Sequence, residues 1–195
     1  TTEIYTDLTQ HMSNLPHLIA HEAYPGHHTE HCRKEVGLVR QRRQLEESIF
    51  LVGTPQCLLA EGLADLALEV LLGEGVEPQL AELLHPLGIR YDTEVVAAIA
   101  QAGEALSAVR GNAALILHDR GGSEDDAIEE LTRWALLPRE RAAKSLAFLT
   151  HPTWRAYIFC YVEGLPRCRA FVGGDPQRFE HLLTEQVVPA DLVAA

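Results

Sequence analysis

The stretch LIAHEAYPGHHTEHCRK, Leu18 to Lys34, decides how this chain is read. The protein has ten histidines, and six of them (His11, His17, His21, His27, His28 and His31) fall within the first 31 residues. His21-Glu22 has the opening of the HExxH motif, in which two histidines on one helix face hold a metal and the glutamate acts as base. The residue four after His21 is Pro25, which cannot bind metal, so the strict motif fails. The next histidine is His27, six residues on. On a regular helix six residues advance about 600°, which leaves the two side chains roughly 120° apart. They converge only if the helix is distorted, and Pro25-Gly26 sits where a distortion can arise. A second register overlaps the first. His27-His28-Thr29-Glu30-His31 reads HxxEH, with both histidines on one face and Glu30 as base. Spacing alone favours this inverted register.

Working outward, the next informative stretch is LLAEGLADLALEV, which places Glu61 and Asp65 one turn apart on one helix face. Carboxylates among leucines and alanines are costly to bury unless they are paired or metal-bound. Glu61 therefore suits a third ligand, and Asp65 suits the acceptor that orients a ligand histidine through its other ring nitrogen.

The rest of the chain reads as helix after helix, so the expected class is mainly α: one compact multi-helix domain over residues 1–195. The metal site falls on about 15–72 and later helices on about 92–186. A weak alternation over Thr2 to Leu8 allows at most one short strand. The pattern predicts helix from about Leu15 to Phe50, disturbed at Pro25-Gly26. Further helices are predicted at about Pro55 to Leu72, from Pro78 to near Gly88, and at about Asp92 to His118. After Gly121-Gly122, Ser123 with three following acids reads as an N-cap. Helices should then run to about Leu137, from Pro138, from Pro152 to about Val172, and briefly from Pro176.

Acids outnumber Lys and Arg 28 to 16, for a net charge of −12. That balance argues against nucleic acid and anionic membranes as partners. No apolar run is long enough to span a bilayer. Four cysteines without a CxxC pair fit a reducing, cytoplasmic setting rather than a disulfide framework.

The strings HEAYPGHH and EGLADLALE resemble domain-of-unknown-function family 885, zincin-like proteins of the gluzincin metallopeptidase clan. RGNAALILHDRGGSEDDAIEEL and FLTHPTWRAYIFCYVEG extend the resemblance, which covers about His17 to Phe171. It implies His21, His27 and Glu61 as ligands of one zinc ion, with Glu22 as base, and so reverses the register that spacing favours. His28, His31, Glu30 and Asp65 then become supporting groups or alternative ligands. The family glutamine is Glu30 here, and its tryptophan is Leu63. Family members are longer, so this chain is expected to be the C-terminal part of a larger architecture, completed by a missing N-terminal region or by a second copy. The expected activity is zinc-dependent hydrolysis of a peptide or amide. A non-catalytic helical domain that keeps the motif is the alternative.

Such hydrolysis needs a donor for the oxygen of the attacked carbonyl. Tyr161 is the first candidate and Tyr157, one turn earlier, the second; aromatics at this spacing also suit a core. Arg110 and Arg155 are candidates for a substrate carboxylate.

Overall fold

The computed structural model describes residues 11–73 and 75–192. Ten α-helices follow one another among these residues, with no strand. The expected strand at Thr2 to Leu8 lies outside the described residues.

The predicted long helix from Leu15 to Phe50 is in fact several pieces. Helix α1 (Leu15–Glu22) ends before a turn through a cis Tyr24-Pro25 bond, and α2 (His27–Lys34) starts directly after Gly26. The chain then widens into a π-helical turn over Glu35–Gln41, tightens into a 3-10 turn at Leu45–Ser48, and is extended at Ile49. Helix α3 (Pro55–Leu72) follows, with proline in its first turn. Helix α4 (Val76–Leu84) begins two residues before Pro78, since proline fits a first turn.

Two further expectations need correction. The helix predicted from Asp92 to His118 is two, α5 (Thr93–Ala105) and α6 (Val109–His118), separated by a turn at 106–108. The helix expected from Pro152 starts only at α9 (Ile158–Val172), because 151–157 form a series of turns. Between them lie α7 (Glu124–Trp134) and α8 (Arg139–Thr150). Ser123 caps α7 as its sequence predicts: its hydroxyl accepts from Asp126 N while the Asp126 carboxylate accepts from Ser123 N. Helix α10 (Pro176–Thr184) completes the set.

Helices α3 and α9 are the centre of the molecule. One apolar cluster joins α3 and α9 to α10, through Leu59, Leu63, Cys168 and Leu182. A second joins the start of α9 to α6, α7 and α8, and a third joins α1 and α3 to α4. The two central helices cross at glycines. A Cβ on Gly62 would lie 2.3 Å from the Gly164 backbone, and one on Gly164 would lie 2.6 Å from the Leu58 carbonyl oxygen. No side chain fits either position, so backbone meets backbone there. This close crossing brings the start of α9 against Glu61.

Candidate metal centre

The chain between His21 and His27 is not a regular helix, so the 120° separation does not apply. After α1 the backbone folds back, with Gly26 N donating to Ala20 O at 2.9 Å and Glu30 N to Gly26 O at 3.1 Å. A Cβ on Gly26 would lie 1.9 Å from the His21 carbonyl oxygen, which leaves room for glycine alone. The fold-back sets the His21 and His27 rings edge to face, with centroids 4.6 Å apart.

Glu61 enters from the facing side of α3. Its Oε2 lies 3.5 Å from His21 Nε2, and its Oε1 lies 3.8 Å from His27 Nε2. One ligand atom from each of His21, His27 and Glu61 lies within 4.8 Å of the others, so the three could hold a metal ion. One turn along α3, Asp65 Oδ1 is 2.9 Å from His21 Nδ1. The ring donates its Nδ1 proton to that carboxylate and turns Nε2 toward Glu61. From the start of α9, the Tyr157 hydroxyl donates to Glu61 Oε1 at 2.5 Å.

These groups shift one another. Burial opposes the charge on His21, but Asp65 and Glu61 outweigh it and lift the imidazole to about 9. Burial by itself would raise the Glu61 carboxyl; the two imidazoles and Tyr157 overcome this and hold it well below the usual range. Burial, then the Glu61 carboxylate, push the Tyr157 phenol up, and Tyr161 moves the same way for the same two reasons. The centre therefore favours a positive charge beside Glu61. Two of its polar atoms, His27 Nδ1 and Glu61 Oε2, are buried without a hydrogen-bond partner. Buried orphans of this kind, in a two-imidazole and one-carboxylate set, fit a divalent cation, and zinc suits that donor set.

The other candidates are placed differently. Glu22 is the last residue of α1, half-buried and next in the chain to His21. Glu30 is only 1% exposed and pairs with Lys34 at 2.8 Å, while the exposed His31 ring sits against Phe50. Among the described residues the inverted register assembles no metal-holding group. Solvent-exposed His28 stacks edge-on to Tyr24 and lies 3.7 Å from Cys32 Sγ. Tyr161 is 44% exposed, and its ring centroid is 5.3 Å from that of Tyr157. It lines a cavity of about 700 Å3 together with Asp65, Ala97, Leu165 and Arg169. Arg110 lines a smaller cavity of about 280 Å3 with Tyr161 and Phe148, and Arg155 is exposed to solvent.

Sequence reasoning ranked Tyr157 behind Tyr161, yet Tyr157 is the tyrosine that touches the centre. The four-residue spacing put both on one face and could not say which one reaches Glu61.

No family model, curated protein or solved structure matches the chain. The class that fold and site define is a mainly α-helical protein with a two-histidine, one-glutamate group able to hold a metal ion. Among the described residues no helix is long and apolar enough to cross a membrane.

Proposed function

We propose that this chain is a zinc-dependent hydrolase of the gluzincin type, acting on a peptide or amide bond. The observation that supports it most is the convergence of His21, His27 and Glu61, with Asp65 orienting His21. Zinc bound there supplies Lewis acidity, which makes water a stronger acid and a carbonyl more electrophilic.

The chain's own groups do the rest. Glu22 accepts the proton of the attacking water and returns it to the leaving amine, as a carboxylate next to a ligand histidine can. The Tyr161 hydroxyl donates to the carbonyl oxygen as negative charge develops on it. Tyr161 suits this role because its side chain is partly exposed along the large cavity, which also reaches Asp65 at the metal centre. That cavity, at about 700 Å3, falls in the size range of small-ligand clefts and is the proposed place of the substrate. All four cysteines are free, in keeping with a reducing, cytoplasmic setting.

The test is zinc content by elemental analysis together with hydrolysis of a quenched-fluorescence peptide library. One zinc per chain is expected. The Glu22→Gln variant should keep that zinc and lose hydrolysis by about 10²- to 10⁴-fold. Without stoichiometric metal in the wild type the proposal fails. Zinc without hydrolysis of any library member replaces it with a metal-stabilised helical domain.

A further inference from the structure

The two oxygens of Glu61 stand in different surroundings. Oε1 accepts the Tyr157 hydroxyl at 2.5 Å. Oε2 is buried, has no hydrogen-bond partner, and lies 3.5 Å from His21 Nε2. A carboxylate with both oxygens free can grip a cation with both. Here one oxygen is already occupied by a phenol proton, and hydrogen bonds to an ionised acceptor are among the strong ones.

We propose that Tyr157 is a positioning residue that makes Glu61 a one-oxygen metal ligand, binding through Oε2 alone. The inference rests on the metal-centre reading and deepens it. Tyr157 is well held for the task. Its ring packs against Phe148, Trp154 and Tyr161, with centroid distances of 6.5, 6.2 and 5.3 Å. Those contacts leave the hydroxyl little freedom to leave Glu61. The consequence concerns the fourth position of a tetrahedral ion. Three protein ligands with one atom each leave that position for water or substrate. A second Glu61 oxygen would add a fifth donor and crowd that position. Tyr157 thus keeps the reacting position open without touching substrate, while Tyr161, one turn along, faces the cavity. The neighbouring tyrosines divide the work, one serving the ligand and one the carbonyl.

Cobalt(II) in place of zinc reports the difference, since four-coordinate cobalt absorbs visible light far more strongly than five-coordinate cobalt. The wild type, Tyr157→Phe and Tyr161→Phe are each loaded with cobalt, and metal affinity is measured by competition with a chromophoric chelator. The wild type should show the strong four-coordinate spectrum. Tyr157→Phe should shift to the weaker five-coordinate spectrum and bind metal about 10- to 100-fold less tightly. Tyr161→Phe should keep the wild-type spectrum and affinity while hydrolysis falls.

An unchanged spectrum in Tyr157→Phe overturns the inference, whatever its affinity, and leaves the metal centre standing. A wild type that takes up neither cobalt nor zinc overturns both. Melting of the metal-free variants checks that they fold. If Tyr157→Phe does not, zinc-edge X-ray absorption on the wild type decides. Four light-atom ligands agree with one Glu61 oxygen, and five overturn the inference.

Discussion

Helices α3 and α5 are both rich in alanine and aliphatic residues, yet they occupy opposite extremes of the molecule. Ten of the eighteen residues of α3 are buried, and none of the thirteen of α5 is. Composition does not separate them; packing does. The α3 backbone touches the α9 backbone at Gly62 and Gly164, and leucines interlock on either side of that contact. The polar groups that anchor α5 act at its ends. Asp92 caps its first turn by accepting from Val95 N at 3.1 Å, and Glu104 near its C-terminus pairs with Arg169 at 2.6 Å. The contrast shows where a metal centre can be built. Glu61 and Asp65 ride on the more deeply packed of the two helices, and a metal site needs its ligands held to within about half an ångström. Helix α5 contributes small side chains, Ala97 and Ala100, to the wall of the cavity.

The sharpest way to break this contrast is to add one methyl group to α3. In Gly62→Ala the new carbon would meet Gly164 backbone at 2.3 Å, with no flexible side chain to yield. Overpacking of this kind costs about 3 kcal/mol or more. For a chain of this size the melting temperature should fall by roughly 6–12 °C. Metal binding should weaken as well, because Glu61 is the preceding residue. A variant that melts within a degree of wild type would show that the helices do not meet in this way. Leu63→Ala tests the same helix by removal. Leu63 is fully buried, so a loss of about 2–5 kcal/mol is expected in denaturant titrations.

The next effect belongs to the centre rather than to the core. Asp65→Ala leaves His21 without the acceptor that fixes its ring. Metal affinity should drop about 10- to 100-fold, or roughly 1.4–2.7 kcal/mol. The fold should tolerate the change, since the Asp65 side chain is 33% exposed. Competition with a chelator measures the affinity and a melting curve of the metal-free protein measures the fold. Equal affinity in the two proteins would remove Asp65 from the centre.

Much of this was legible in the residues, and the parts that were not share a physical reason. Helix caps at Ser123 and the proline starts of α3 and α10 are local, so the sequence shows them. Glu61 and Asp65 were legible as carboxylates out of place in an apolar helix. The convergence of His21 with His27 was not derivable from spacing. It depends on a fold-back that a regular-helix calculation cannot contain, although Pro25-Gly26 marks where it occurs. The break at 106–108 has no glycine or proline, and the missing first turns of α9 lie behind a proline that usually opens a helix. Neither carries a local signal in its own residues. The choice of Tyr157 over Tyr161 is of the same kind, because only the α3–α9 crossing decides which tyrosine reaches Glu61.

The smallest expected effect sharpens the comparison from the other side. Ile99 lies near the middle of α5 and is 66% exposed. Ile99→Ala removes more carbon from an aliphatic side chain than Gly62→Ala adds to the backbone, yet it should change stability by no more than about 0.5 kcal/mol. Val95, also on α5, is 53% exposed, so the helix carries a second apolar side chain outside the core. Denaturant titration at two protein concentrations gives the test its meaning. A small, concentration-independent change places α5 on the surface of a single chain. A loss above about 1 kcal/mol that grows with protein concentration means a second copy buries this face. In that case the contrast between α3 and α5 belongs to the isolated chain, and both helices would be core helices of an assembly.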